Sequence, residues 1–232
     1  MIPWVQTRQA LSLCCRFSIP VIILYKTYGG LVMLTSPKKL NIKFTYKDYL
    51  SWTSENERWE LINGIAYDMS PAPTRKHQEL FGILYTEFHN YLKDKDCNVY
   101  AAPFDVRLPV GLQTDNEINT VVQPDISVFC DKNKLDDKGA VGAPDLVIEI
   151  LSPSTAVKDL REKFTLYEKV GVKEYWIVDP ANGTLTVYIL DKDGKYPRGK
   201  VYAGEDKFQV GIFEDLEINI EDIFKEKPKK MI

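Results

Sequence analysis

The chain has 232 residues, of which 44% are hydrophobic and 27% charged, a composition typical of a globular domain large enough to bury a full core. With 30 Lys and Arg against 33 Asp and Glu, its formal charge is -3, which excludes a polycation that binds nucleic acid by bulk attraction alone. Any nucleic-acid site must therefore be a local patch.

Residues 1–32 differ from the rest of the sequence, because they hold basic residues but no acid and a short apolar run interrupted by Pro20. That run is too short to span a bilayer, and no small-residue cleavage pattern follows it cleanly. We interpret residues 1–32 as an N-terminal extension outside the fold, with a targeting peptide as the alternative. Residues 33–232, beginning at Met33, are predicted to form a single domain without a membrane segment.

The cysteines and histidines argue against zinc and against a disulfide scaffold. Cys14, Cys15, Cys97 and Cys130 show no zinc-ligand spacing and no pattern of a disulfide framework, and the chain has only 2 His. The sequence therefore predicts a reducing, cytoplasmic setting.

The first half of the domain combines short strands with one long helix. A short amphipathic helix is predicted over 45–53, and Asn63-Gly64 is the strongest short signal for a hairpin turn. Residues 74–93 place their apolar side chains on one helical stripe, which predicts the longest helix. Strands are predicted at 99–102, 104–108 and 125–130, with a polar loop at 111–120 and a charged loop at 131–139.

The second half continues with a strand at 145–151, a helix at 156–170 that stops at Gly171, and a buried strand at 174–179. Strands at 184–190 and 200–208 follow as a meander. The predicted class is α/β, with a mixed central sheet flanked by helices and extra hairpin strands. The strand-helix-strand unit should be a right-handed crossover that joins parallel neighbours.

One acid stands in the most apolar strand, DLVIEILSPST. A strand buried on both faces is normally apolar, so Glu149 needs a cation or a hydrogen-bond network. Asp125 begins an earlier strand, directly after Pro124. Two carboxylates that meet at neighbouring strand ends repel each other unless a divalent cation lies between them. Mg²⁺, which takes a few carboxylates plus waters and phosphate, fits this arrangement.

The helix after that strand supplies a candidate amine. On a helical wheel centred on Leu160, Lys163 lies about 60° away inside the apolar arc, whereas Lys158 points to the opposite side. Lys163 is therefore predicted to reach toward the carboxylates, with a stem that snorkels to solvent as the alternative. Glu60, in the strand WELI, is a further candidate acid, and an ordinary surface Glu is an equal alternative.

Four segments in order carry a family resemblance: ERWELINGIAYDMSPAPTRKHQEL, VQPDISVF, PDLVIEILSPST and REKFTLYEKVGVKEYWIVDP. Together they resemble the Uma-type family of restriction-endonuclease-like proteins, which is abundant in cyanobacteria and is a branch of the PD-(D/E)XK nuclease superfamily. The resemblance covers roughly residues 44–224. Residues 1–32 lie outside it.

The resemblance implies a catalytic set. Glu60, Asp125 and Glu149 match the acidic positions that hold the metal, Mg²⁺ with Mn²⁺ as a substitute. The acid-X-Lys triplet reads Glu149-Ile150-Leu151, so Leu151 stands where the family pattern has lysine. The resemblance then implies that the lysine has moved to the following helix, where Lys163 is the match.

The implied reaction is hydrolysis of a DNA phosphodiester bond, with double-stranded DNA as the partner and a homodimer as one way to cut both strands. Gln123 is a candidate for binding the water or a phosphate oxygen. Lys76 and His77, at the start of the long helix, are candidates for contacting the DNA backbone, as is Ser152 in the turn after the strand.

Two alternatives stay open at this stage. The first is a catalytically inactive nuclease-fold module that binds nucleic acid or protein, which the missing triplet lysine keeps in play. The second is a glycoside hydrolase that works with two carboxylates. It ranks behind the others because the aromatic residues fall in apolar stripes rather than in an exposed sugar cleft.

Overall fold

The computed structural model describes residues 43–52, 58–69, 72–153 and 156–225. All of them belong to one compact unit, Lys43–Ile232. The predicted extension at 1–32 and the start at Met33 lie outside the described residues, so the domain boundary stays a prediction.

The predicted N-terminal helix and hairpin are both present. Helix α1 (Tyr46–Tyr49) is shorter than predicted and begins with a capping box in which Thr45 and Asp48 satisfy each other's backbone amides. Strands β1 (Trp59–Ile62) and β2 (Ile65–Asp68) pair antiparallel around the Asn63-Gly64 turn. Both turn residues have positive φ, 51° and 82°, as a tight hairpin turn of this type requires.

The long helix α2 (Arg75–Leu92) confirms the predicted stripe. Its N-cap Thr74 accepts a hydrogen bond from the backbone amide of His77, and Leu80, Leu84 and Phe88 are buried. This capping fixes where the helix starts, and the start of α2 faces the cleft described below.

The main sheet has six strands in the order β12-β11-β10-β9-β6-β3. Strands β9 and β10 are parallel, as predicted for the strand-helix-strand unit, and the other neighbours are antiparallel. The strands are β3 (Asn98–Ala101), β6 (Ile126–Phe129), β9 (Leu146–Ile150), β10 (Glu174–Asp179), β11 (Thr184–Ile189) and β12 (Lys200–Ala203).

A second sheet of six short strands has the order β2-β1-β5-β4-β8-β7. Its further strands are β4 (Val106–Arg107), β5 (Val121–Val122), β7 (Leu135–Asp136) and β8 (Gly139–Val141). The prediction of a loop over 131–139 is therefore wrong in part, because β7 and the first residue of β8, Gly139, lie in this segment and the two strands pair as a hairpin.

The chain after Gly171 also differs in detail from the prediction. The strand predicted at 200–208 divides into β12 and β13 (Lys207–Gln209), and β13 pairs with an unpredicted strand, β14 (Glu217–Asn219). A short helix, α5 (Ile220–Phe224), follows it. This arrangement of two mixed sheets and helices confirms the predicted α/β class.

The two faces of β9 explain why its sequence is apolar except at Glu149. Leu146, Ile148 and Ile150 join the core under α2, whereas Val147 joins a second core between the two sheets. Because side chains alternate along a strand, Glu149 lies on the same face as Val147. The acid thus points into the space between the sheets.

The expectation that the cysteines form no disulfide is wrong for one pair. Cys97 and Cys130 are bonded, with an S–S distance of 2.05 Å. They directly flank the paired residues Asn98 and Phe129 of β3 and β6. Strand register brings these cysteines together, and their spacing along the chain carries no sign of it. Within the described ranges, no helix has the length and apolarity needed to cross a membrane.

Candidate active site

Two of the predicted acids lie opposite each other on neighbouring strands. Ile126 of β6 pairs with Ile148 of β9 in antiparallel register, so the next positions, Asp125 and Glu149, face each other. Opposed residues in an antiparallel pair share a face of the sheet. The backbone amide of Ile150 donates to Asp125 Oδ2 at 2.8 Å, which ties the Asp125 carboxylate to the end of β9.

Glu149 is buried and held on one side. Its Oε1 accepts hydrogen bonds from Lys163 Nζ and from the Tyr167 hydroxyl, each at 2.7 Å. Burial is the largest cause of the raised pKa of Glu149, Lys163 opposes it, and the nearby carboxylates of Asp159 and Asp125 act in the same direction as burial, so that the pKa is about 8. Glu149 therefore holds a proton more readily than an exposed glutamate does.

Glu60 is fully buried and lies between two lysines. Its Oε1 is 2.8 Å from Lys163 Nζ and accepts the backbone amide of Gln123 at 2.9 Å, while Oε2 is 2.5 Å from Lys158 Nζ. Burial alone would raise the pKa of Glu60, but the two ammonium groups outweigh burial and lower it. Both carboxylate oxygens of Glu60 are engaged by these groups.

A π turn explains why both lysines reach Glu60. The helix after β9 consists of α3 (Ala156–Lys158), a π-helical turn (Asp159–Lys163) and α4 (Phe164–Val170). In an α-helix, positions five apart differ by about 140°, whereas the i→i+5 hydrogen bonds of a π turn bring such positions onto the same side. The prediction that Lys158 points away from the site is therefore wrong.

The same π turn moves Leu160. The α-helical wheel placed Leu160 at the centre of the buried stripe, but its side chain is 48% exposed, so that prediction is wrong. Lys163 is 1% exposed, in agreement with its predicted burial. The wheel fails on the N-terminal side of the π turn because one extra residue shifts the periodicity there.

Lys163 is an ammonium ion in this setting. Burial alone would lower its pKa, but the carboxylates of Glu149, Glu60 and Asp159 hold the pKa well above the ordinary value for lysine. A group that keeps its proton stabilises negative charge and donates hydrogen bonds, and it does not accept a proton. The site thus places a fixed positive charge beside Glu149.

Asp125 has a second partner at the start of α2. His77 Nε2 lies 3.2 Å from Asp125 Oδ2, and the His77 side chain is only 8% exposed. His77 Nδ1 is buried and has no hydrogen-bond partner among the described residues. His77 therefore orients Asp125 while lying at the wall of the cleft.

The side-chain amide of Gln123, which the sequence predicts to bind water or a phosphate oxygen, is hydrogen-bonded to other side chains. Its Oε1 accepts two hydrogen bonds from Arg58, at 3.1 and 2.8 Å, and its Nε2 donates to the Tyr49 hydroxyl and to Asp105 Oδ1. The amide of Gln123 is thus occupied at both ends. Arg58, which sequence reasoning missed, is the side chain that Gln123 presents to the cleft.

Of the remaining positions named from the sequence, Ser152 lines the cleft, whereas Lys76 and Leu151 do not. Ser152 lies in the cleft lining together with Asp125, Glu149, Lys163, His77 and Lys158. Lys76 is half-buried on α2 and is not part of that lining. Leu151, at the triplet position of the family lysine, packs against the core between the sheets.

The acids and amines surround a cleft of about 270 Å³. Across the described ranges, no three His, Cys, Asp or Glu side chains gather as a ready metal cage. Mg²⁺ needs fewer protein side chains than three, because it is held by one or two carboxylates and otherwise by waters and substrate phosphates. Asp125 Oδ1 and Glu149 Oε2 accept no hydrogen bond from the described residues. This donor set fits Mg²⁺.

The α/β fold of this chain is shared with a solved structure. A crystal structure from Anabaena variabilis ATCC 29413, described as "a putative nuclease", superposes with a TM-score of 0.63 at 22% identity and covers 78% of this chain and 97% of that chain. An uncharacterized protein from Synechocystis is 28% identical over 163 residues, which span 69% of this chain and 82% of that protein.

The family to which the chain belongs is identified from its sequence. The model of the Uma2 family, "Putative restriction endonuclease", matches residues 46–221, and the chain belongs to this family. The predicted resemblance is confirmed. The matched segment contains every acid and amine described above.

Proposed function

We propose that the protein is a Mg²⁺-dependent nuclease that hydrolyses phosphodiester bonds of double-stranded DNA. One observation carries the proposal: the Lys163 ammonium bridges Glu60 and Glu149 beside a cleft that Asp125 also lines. Charged side chains from separate strands and from a helix meet there, although most of them are buried. Such an arrangement is typical of catalytic sites.

Asp125 and Glu149 would hold the metal through their unengaged oxygens, and Mn²⁺ is the expected substitute. When bound, the metal polarises the phosphate and lowers the pKa of an attacking water. Tyr167 and Lys163 hold Oε1 of Glu149, which leaves Oε2 toward the cleft. His77 and the Ile150 amide do the same for Asp125 by engaging Oδ2.

Lys163 supplies a charge that needs no reorganisation during the reaction. Its ammonium would offset the negative charge that builds up on the phosphoryl oxygens as water attacks and the 3′ oxygen leaves. Lys158, on the other side of Glu60, adds a second ammonium at the cleft wall. We assign Glu60 the role of positioning both lysines, since its oxygens are already engaged by them.

DNA would enter over the start of α2. The N-terminus of an 18-residue helix offers backbone amides and a positive dipole end, and Lys76 and His77 lie in its first turn. Ser152 adds a hydroxyl to the cleft lining. A homodimer, in which two such sites face the two strands of a duplex, would account for double-strand cutting.

Supercoiled plasmid incubated with the protein is expected to be nicked in Mg²⁺ or Mn²⁺ and to stay intact in EDTA. Asp125→Ala is expected to lower Mg²⁺ affinity at least tenfold in calorimetric titration, because it removes one of two carboxylate ligands. Asp131→Ala, an exposed acid at the far end of β6, is the matched control. Plasmid that stays intact with both metals would instead favour an inactive nuclease-fold module.

Without metal, Glu149→Gln is expected to stabilise the protein increasingly as pH rises. The carboxyl titrates near 4.5 when unfolded and at a pKa of about 8 when folded, so the stability that the protonated form contributes is complete below pH 4.5 and lost as pH rises through 8. The variant should gain at most about 1 kcal/mol relative to wild type for each pH unit between 5 and 7.

Urea unfolding at pH 5, 6 and 7 measures this difference. Saturating Mg²⁺ should reduce it, because the cation stabilises the ionised carboxylate of the folded wild type. A difference that stays constant with pH would show that Glu149 is ionised in the folded protein throughout this range.

A further inference from the structure

Among the described residues, one cation of the cleft has no acidic partner. Lys163 and Lys158 are both paired with carboxylates, but Arg58 makes no ion pair with any described residue, and its side chain donates hydrogen bonds to the neutral amide of Gln123. A guanidinium carries five N–H donors, of which Nε and Nη2 use one each here. The other donors and the full positive charge stay available at the cleft wall.

The orientation of Arg58 is fixed by a chain of buried contacts. Gln123 Nε2 donates to Asp105 Oδ1 at 2.8 Å and to the Tyr49 hydroxyl at 3.1 Å, and that hydroxyl donates to the same Asp105 oxygen. This triangle leaves only one amide orientation, with Oε1 facing Arg58. Gln123 lies two residues before Asp125, so the guanidinium is fixed relative to the predicted metal ligand.

An uncompensated and oriented guanidinium is the group that suits a phosphate. It binds phosphate oxygens through two parallel N–H bonds and keeps its charge at any working pH. Pairing with an acid would cancel that charge, and the neutral Gln123 orients Arg58 without doing so.

We propose that Arg58 binds a backbone phosphate of the nucleic-acid substrate next to the scissile one, with Gln123 as its positioning residue. This proposal rests on the proposed function, because it places the scissile phosphate at Asp125 and Glu149. Arg58 recognises the strand through its phosphate and carries no base information. The site therefore takes a polynucleotide with at least two consecutive phosphates.

The test is binding of a fluorescent 20-base-pair DNA duplex and of one of its strands, measured by anisotropy in EDTA over a series of salt concentrations. Arg58→Gln is expected to weaken binding about tenfold and to reduce the slope of log affinity against log salt by about 0.9 for the duplex or 0.7 for the strand. Arg58→Lys should keep the slope, because it keeps the charge, and still bind more weakly.

Gln123→Met tests positioning. It removes the orienting amide but no charge, so it should keep the salt slope and weaken binding, with a raised KM and little change in kcat where cleavage is measurable. Arg161→Gln, an exposed arginine outside the cleft lining, is the matched control and should leave affinity and slope unchanged. Thermal unfolding of each variant shows whether the fold is intact.

The outcomes separate the two proposals. A reduced slope in Arg58→Gln without any metal-dependent cleavage supports a backbone-phosphate contact by Arg58 in a module that binds but does not cleave, and it removes both the nuclease proposal and the place of this contact beside a scissile phosphate. Cleavage by wild type together with an unchanged slope and KM in Arg58→Gln overturns the phosphate site alone. Wild-type protein that binds neither the duplex nor the strand also overturns it.

Discussion

Lys163→Met is expected to lower the rate of phosphodiester hydrolysis about a thousandfold. The variant keeps an unbranched side chain of similar length in a buried position but removes the positive charge that lies 2.7 Å from Glu149 and 2.8 Å from Glu60. Transition-state charge on the phosphate would then lack its fixed counter-charge. Single-turnover cleavage of a labelled duplex in saturating Mg²⁺ measures the effect on the chemical step.

Lys169→Met is the matched control, because Lys169 is an exposed lysine at the end of the same helix. It should cleave at the wild-type rate. Circular dichroism and the unfolding midpoint must show that Lys163→Met is folded. A folded variant that retains the wild-type rate would exclude Lys163 from the reaction.

Glu60→Gln is expected to lower the free energy of unfolding by about 3–5 kcal/mol at neutral pH. The substitution leaves the geometry of the side chain nearly unchanged but removes the negative charge shared by Lys158 and Lys163. Both ammonium groups are largely buried, with side-chain exposures of 11% and 2%. A buried charge that loses its partner is strongly destabilising; Lys163 keeps its hydrogen bond to Glu149 and lies 3.7 Å from the Asp159 carboxylate, but Lys158 retains no carboxylate among the described residues.

Urea unfolding gives the magnitude, with Glu79→Gln as the control. Glu79 pairs with Arg75 on the exposed side of α2, where an ion pair contributes about 0–1 kcal/mol. The double variant Glu60→Gln/Lys158→Met should recover part of the loss, since it removes both members of a pair. A loss below about 1 kcal/mol in Glu60→Gln would contradict the view that Glu60 is the shared counter-ion.

Most of the elements could be predicted because their signals are local. The Asn63-Gly64 turn, the stripe on α2 and the apolar strands β9 and β10 depend on residues close together in the chain. The hairpin β7-β8 could not be predicted in this way, because its strands have two and three residues and too little periodicity. The bond between Cys97 and Cys130 depends on strand register, which local patterns do not determine.

The residues of the candidate site also differ in whether local sequence patterns reveal them. Glu149 stands out because a charge in a doubly buried strand needs a partner, and Lys163 stands out because it lies on the apolar side of the helix. Lys158 was assigned to the wrong face, since a wheel with a constant angle cannot represent a π turn. Arg58 was missed because its significance depends on a contact with Gln123, 65 positions away in sequence.

The π turn Asp159–Lys163 has a consequence for comparing members of this family. It holds one more residue than an α-helical turn, so a homologue that lacks this residue would have the two lysines four positions apart, about 40° on a regular α-helix, and would keep both on one side. A homologue that keeps five positions between the lysines but forms a regular α-helix would separate them by about 140° and aim only one of them at the acid on β1. The spacing of the two lysines and the helix type between them thus carry as much information about the site as the identities of the aligned residues.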